Sequence, residues 1–175
     1  MSDQRIDGYA RALFEVARAE GTLDVVEDEL FRFARSFESS DSLRTALTDE
    51  QIPVAKRMAI VEDLLGAKAS MTATQLIAMV VGAGRGRDLP AIVDRLVARA
   101  SSEKDLAVAE VRSAVPLSAD QQRRLGEALA TATGSKVNVK VVVDPSVIGG
   151  IVATVGDTVI DGSVRTRLEQ LKSRL

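Results

Sequence analysis

No cysteine and no histidine occur among the 175 residues. The first absence excludes disulfides, thiolate metal sites and cysteine nucleophiles. The second removes the commonest metal ligand and the usual general base near neutral pH. An enzyme built from this chain is left with a carboxylate pair, a lysine or a carboxylate-held Mg²⁺, so the composition argues against catalysis. Tryptophan is also missing and aromatics make up 3% of the residues, too few for the stacking platforms that hold single-stranded nucleic acid. The 23 basic and 25 acidic residues leave a net charge of −2, which gives no basis for recruiting nucleic acid by counterion release. No apolar run approaches the roughly 20 residues of a membrane span, and the opening MSDQRIDGYA has no basic-then-apolar signal layout. The expectation is a soluble chain that stays where it is made.

What is present is apolar material in quantity. A hydrophobic content of 46% is enough to build the core of one domain or of two small ones. Charge is unevenly placed: residues 1–104 hold 14 Lys/Arg and 17 Asp/Glu, residues 105–175 hold 9 and 8, and residues 163–175 alone hold 4 and 1. An acidic first part and a basic tail imply two different surfaces.

The first part reads as helices. Ile6, Tyr9, Ala10, Leu13, Phe14 and Ala17 follow the i, i+3, i+4, i+7 repeat of an amphipathic helix over residues 5–20, which Gly21 closes. Thr22 is placed to cap a second helix whose seam is Leu23, Val26, Leu30, Phe33 and Phe37. A short third helix over 42–47 precedes Pro53, a residue suited to a first helical turn. Val54, Met58, Val61 and Leu65 define the fourth, which ends at Gly66. Ser70 or Thr72 starts a fifth helix through Val81, apolar on more than one side and therefore central, with Leu76, Ile77 and Val80 against Met79. The sixth carries Leu89, Ile92, Val93, Leu96, Val97 and Ala100 behind an Asp88 cap, with Pro90 in its first turn.

Near Lys104 the apolar period changes from 3.6 to 2. Ala107, Ala109, Val111, Ser113 and Val115 share one face of a strand, and Ser118 with Gln121 forms a capping box before a helix that Gly134 ends. Val137, Val139, Val141 and Val143 alternate with Asn138, Lys140 and Val142 in a second, half-buried strand. A β-prone run over 148–155 and another over 158–160 meet across Gly156-Asp157 as a tight hairpin. Val164, Leu168, Leu171 and Leu175 then make the seam of a terminal helix whose other side carries Arg165, Arg167, Lys172 and Arg174. The fold expected is α+β: an N-terminal six-helix bundle over 1–104, then a small mixed-sheet α/β domain over 105–175, with strand, crossover helix and strand as a parallel pair to which the hairpin adds antiparallel partners.

Three features invite a chemical reading. Gly82-x-Gly84-x-Gly86 resembles a fragment of a phosphate loop, but it follows a helix and lacks the Gly-Lys-Ser/Thr completion, so a helix-terminating turn with solvated or locally paired Arg85 and Arg87 is favoured. A small nucleotide- or phosphate-binding enzyme using this turn is the alternative function. Gly149-Gly150, placed within a strand, indicates a bulge or a close backbone approach. Asp144, Asp157 and Asp161 adjoin Pro or Gly, where aspartate serves turns more often than metals. Tyr9 and Met79 lie on helices apolar over more than one stripe, which suits core and, where exposed, a groove for an amphipathic partner helix.

Three separated stretches, in order, carry a resemblance: Tyr9-Ala10-Arg11-Ala12-Leu13-Phe14-Glu15-Val16-Ala17, then Gly86-Arg87-Asp88-Leu89-Pro90, then Asp144-Pro145-x-x-Ile148-Gly149-Gly150 followed by Asp161-Gly162-Ser163-Val164. Together they resemble the delta subunit of bacterial F-type ATP synthase, the oligomycin-sensitivity-conferring protein family. The Gly82-Ala83-Gly84 turn departs from that pattern, where more polar residues are expected.

The resemblance implies a non-catalytic, cofactor-free stator subunit, present once in a hetero-oligomeric complex. It implies an N-terminal bundle on the N-terminal segments of the head's alpha subunits and a C-terminal domain on the b-subunit stalk, at the cytoplasmic side of the bacterial membrane without inserting into it. Carried onto this sequence, Tyr9, Leu13 and Met79 line the head-binding groove between the first and fifth helices. Arg165, Arg167, Lys172 and Arg174 meet the stalk. Asp144, Pro145, Gly149, Gly150, Asp161 and Gly162 are structural.

Overall fold

The computed structural model of the chain describes residues 2–162. Its first helix, α1 (Ser2–Ala19), buries Ala10, Leu13, Phe14 and Ala17, the stripe that the spacing predicts. It ends in a Schellman motif: Gly21 N–H donates to Arg18 O at 3.0 Å and Thr22 N–H to Ala17 O at 3.0 Å. The Thr22 hydroxyl turns back to Ala17 O at 3.4 Å, so α2 (Leu23–Ser39) starts without the side-chain cap expected from Thr22. The α2 seam is buried from Val26 to Phe37. α3 (Asp41–Thr48) is capped by Ser40, and α4 (Val54–Leu65) starts just after Pro53, which sits at its N-cap rather than inside its first turn.

In α5 (Met71–Gly82) seven of the twelve residues are buried, because α1, α2 and α4 all pack on it. It is the central helix that its unbroken apolarity predicts. A 3₁₀ turn (Gly86–Asp88) precedes α6 (Leu89–Glu103). This turn is the element absent from the six-helix expectation. Asp88 belongs to the turn, whereas the sequence assigns it a simple cap.

The chain divides into two compact units between Ala100 and Ser101. In the second, β1 (Ala107–Ser113) pairs in parallel with β2 (Val137–Val143) through the crossover helix α7 (Ala119–Thr133). On its other edge β1 pairs antiparallel with β3 (Ile151–Val155), which forms a hairpin with β4 (Thr158–Asp161), giving the order β2-β1-β3-β4. Seven α-helices and one four-stranded mixed sheet among the described residues make the fold α+β.

The sheet core is Ala109, Val111, Leu129, Ala153 and Val155, and α7 comes close enough to β2 that a Cβ on Gly126 would lie 3.4 Å from Val139. The opposite face is not simply solvated. Lys140, assigned to the polar side of a half-buried strand, is 5% exposed and stands opposite Glu110 in the register.

Candidate partner-binding surfaces

On α1 the exposed positions Gly8, Ala12, Val16 and Ala19 recur at steps of four, four and three, a second and smaller apolar stripe beside the core-facing one. Tyr9, half-buried, lies at its edge, one and two turns from Ala12 and Val16. On α5 the exposed positions are Met71, Gln75 and Met79, each four apart, with Met71 at 77% and Met79 at 43% exposure. The two helices are packed neighbours.

Of the three side chains assigned to a groove, Tyr9 and Met79 are therefore reachable. Leu13 is not: at 1% exposure it is core, and a partner reaches it only if the helices separate. Val16 and Met71 are the exposed apolar side chains that the sequence reading passed over. The signal for Val16 was present, since it lies seven residues after Tyr9 and hence on the same side of α1.

The first three amides after α5 are not available to a phosphate. Ala83 N–H donates to Met79 O at 2.9 Å, Gly84 N–H to Val81 O at 3.0 Å and Arg85 N–H to Val80 O at 3.0 Å, with Gly84 left-handed at φ 72°. This is a Schellman termination, with the amides turned onto the helix's own carbonyls. Arg85 pairs locally with Asp88 at 3.3 Å.

The 144–150 stretch is turn chemistry throughout. Asp144, Pro145, Ser146 and Val147 form a β-turn closed by Val147 N–H to Asp144 O at 3.1 Å, with aspartate first and proline second. The Asp144 carboxylate accepts the Ser146 hydroxyl at 2.6 Å and the Ser146 N–H at 2.9 Å, and Arg112 stands 3.5 Å away. The Ser146 hydroxyl, then its N–H, then the Arg112 charge hold this carboxyl below its ordinary value.

Gly149 and Gly150 lie outside β3, not within a strand as the β-prone run suggested. Both are left-handed, at φ 65° and 76°, so backbone conformation rather than a bulge calls for glycine here. Asp161 ends β4 opposite Val152, and Gly162 N–H donates to Ile151 O at 2.9 Å; the turn expected at Asp161-Gly162-Ser163 runs outside the described residues. Among the described residues no three carboxylates converge on a point that suits a metal ion. The terminal helix and its Arg165, Arg167, Lys172 and Arg174 lie outside the described residues.

Comparison with known proteins then supplies what the surfaces alone do not. The family model described as ATP synthase delta (OSCP) subunit matches residues 6–175. The chain belongs to the ATP synthase delta (OSCP) family. It is 45% identical over 159 residues to ATP synthase subunit delta of Streptomyces avermitilis, an alignment covering 91% of this chain and 58% of that one. The corresponding subunit of Kineococcus radiotolerans is 39% identical over 164 residues, covering 94% of this chain and 59% of the other. The chain thus spans a little under three fifths of the length of these delta relatives. Its fold also matches a chain in the cryo-EM structure of the Toxoplasma gondii mitochondrial ATP synthase hexamer, with TM-score 0.54 and 24% identity, covering 97% of this chain and 96% of that one.

Proposed function

We propose that the chain is a peripheral-stalk subunit of an F-type ATP synthase, without chemistry of its own, that fixes the catalytic head to the b-subunit stalk. The observation that carries this reading is the extent of the family match: it runs from residue 6 to residue 175 and so takes in both compact units. In this assignment the helical bundle over 1–104 binds N-terminal helices of the alpha subunits, and the domain over 105–175 binds the b subunits. One copy serves each complex, at the cytoplasmic side of the bacterial membrane. No helix among the described residues is long and apolar enough to cross a membrane, which fits a peripheral position.

The physical task is to resist torque. Rotation of a central shaft performs work only if the head is held still against the membrane sector, so a joint that slips uncouples ion flow from ATP synthesis. A stable protein interface buries about 1,200–2,000 Å² in total. Gripping through two domains adds effective concentration to each contact, so release at one end does not free the chain. The exposed stripes of α1 and α5 support an amphipathic helix as the head-side ligand. The nucleotide-enzyme alternative is weakened, because the amides of residues 83–85 already bond to α5 carbonyls.

The test is titration of a peptide from the alpha-subunit N-terminus into the full chain and its variants. Met79→Asp and Tyr9→Ala are each expected to weaken binding about tenfold or more, as loss of an apolar anchor does, while helicity is unchanged. Leu13→Asp is expected to unfold the bundle and so says nothing about the interface. Unaltered affinity in both surface variants would remove the α1–α5 assignment.

A further inference from the structure

Arg57 is the fourth residue of α4, three after Val54 and four before Val61, which places it on the buried side of that helix. Arg57 is 8% exposed, and among the described residues its buried Nε has no hydrogen-bond partner and it is in no ion pair. Arginine stays charged in proteins, so it cannot relieve burial by giving up its proton. A guanidinium in such a position calls for an anion.

The space beside it has the right form. Arg57 lines a cavity of about 390 Å³ together with Thr48 and Glu50, from the end of α3 and the loop after it, and residues 84–88. The Gly86 backbone packs so closely on α3 that a Cβ there would lie 3.0 Å from Leu47 O, which fixes the turn against this wall. Three cations, Arg57, Arg85 and Arg87, face two carboxylates, Glu50 and Asp88, leaving one net positive charge. Asp88 is engaged by Arg85 at 3.3 Å, whereas the exposed Arg87 is in no ion pair among the described residues.

We infer that the hollow between the end of α3, α4 and the 84–88 turn is a carboxylate-binding pocket anchored by Arg57, with Arg87 as the second cation. A carboxylate matches both the single surplus charge and the planar fork of a guanidinium. A phosphate dianion would bring a second negative charge against Glu50 and Asp88, and the amides of residues 83–85 are already bonded to α5. The carboxylate source is either an acidic side chain of a bound polypeptide or a free small acid. The inference stands on this cavity alone and does not depend on the stator assignment.

The experiment follows the Arg57 Nε–H resonance of the full chain by NMR while acetate, succinate, inorganic phosphate or a blocked Gly-Glu-Gly peptide is added, against sodium chloride of equal ionic strength. A saturable shift with the carboxylates that sodium chloride does not reproduce is expected. It should weaken about tenfold in Arg87→Gln, the worth of a charge-assisted hydrogen bond, and also in Arg57→Lys, which keeps the charge, loses the fork and, having no Nε–H, is followed by the Gly86 backbone amide. Because Arg87 is exposed, its variant keeps the test open should the Arg57 variant fold poorly. A peptide that binds more tightly than succinate identifies a polypeptide source, and the reverse identifies a free acid; both support the pocket. No saturable shift, a shift equal to that with sodium chloride, or tighter binding of phosphate than of any carboxylate overturns it.

Discussion

The carboxylate of Glu29 on α2 accepts two hydrogen bonds from Ser70, one from its N–H at 3.0 Å and one from its hydroxyl at 2.6 Å. Ser70 is itself the N-cap of α5, its hydroxyl oxygen accepting from Ala73 N–H at 3.2 Å. A negative charge is thereby held at the positive end of the central helix by a residue 41 positions earlier, joining two helices where an isolated cap would serve one. Replacing Glu29 with Ala should cost about 2 kcal/mol in urea unfolding, and Glu29→Gln, which keeps an acceptor without the charge, about half as much. No loss in Glu29→Gln would show that charge is not what matters.

The pair Gly149-Gly150 occupies left-handed backbone ahead of β3. Alanine at either position should destabilise the second unit by about 1–2 kcal/mol, and the double variant by roughly the sum. Unfolding followed by a probe in that unit measures it. A gain in stability would return the pair to the extended backbone that the β-prone run suggested.

Asp144 titrates below the ordinary aspartate value when folded, so its contribution to stability is present above that value and is lost as pH falls through the depressed one. Asp144→Asn should therefore be less stable than the parent by a constant margin well above the ordinary aspartate value of 3.8, narrowing as pH falls below it. A carbon-detected NMR titration of the Asp144 carboxyl checks the direction independently, and a midpoint above the ordinary range would contradict it.

Asp105 sits at φ 54°, the one described non-glycine residue with positive φ, where α6 ends in a Schellman pattern from Asp105 N–H to Ser102 O at 3.2 Å and Leu106 N–H to Ser101 O at 2.8 Å. Glycine is the residue that this position favours. Asp105→Gly should raise stability by roughly 0.5–1 kcal/mol, in the range of cap optimisation, and shift the thermal midpoint upward.

A fragment of residues 1–104 should fold and unfold cooperatively, because the unit ending at Ala100 contains its own core. On the stator reading it also binds the head but no longer couples. A fragment without a cooperative transition would show that the helices need the second unit.

Much of this architecture was legible because period and punctuation agree. The α2 seam, the Ser118–Gln121 capping box and the two-residue hairpin loop at Gly156-Asp157 each carry a local signal that nothing nonlocal overrides. Leu13 failed differently. Helical spacing states which residues share a face but not whether that face meets the core or a partner, and Leu13 and Val16 fall on either side of that division. Gly149-Gly150 was misplaced because valine and isoleucine on both sides read as one continuous strand, whereas two successive positive φ values interrupt it. Lys140 alternates like a solvent-facing residue, and only the tertiary structure shows its burial. Arg57 did leave a trace, since it stands within the apolar seam of α4, yet the unmatched charge there became visible only with the cavity wall in place.

The topology of the sheet bears on how the chain is made. β1 lies between β2 and β3, and its parallel partner begins thirty residues downstream, Ala107 pairing with Val137, while its antiparallel partner begins later still at Ile151. At ribosomal speeds of about 5–20 residues per second, the nascent β1 waits roughly two to six seconds with both edges open. An open strand of this kind is a template for wrong pairing, and the charges of Glu110 and Arg112 within it act as gatekeepers over that interval. Glu110 and Arg112, which pair with each other at 3.1 Å in the finished sheet, thus also disfavour wrong pairing before the sheet exists.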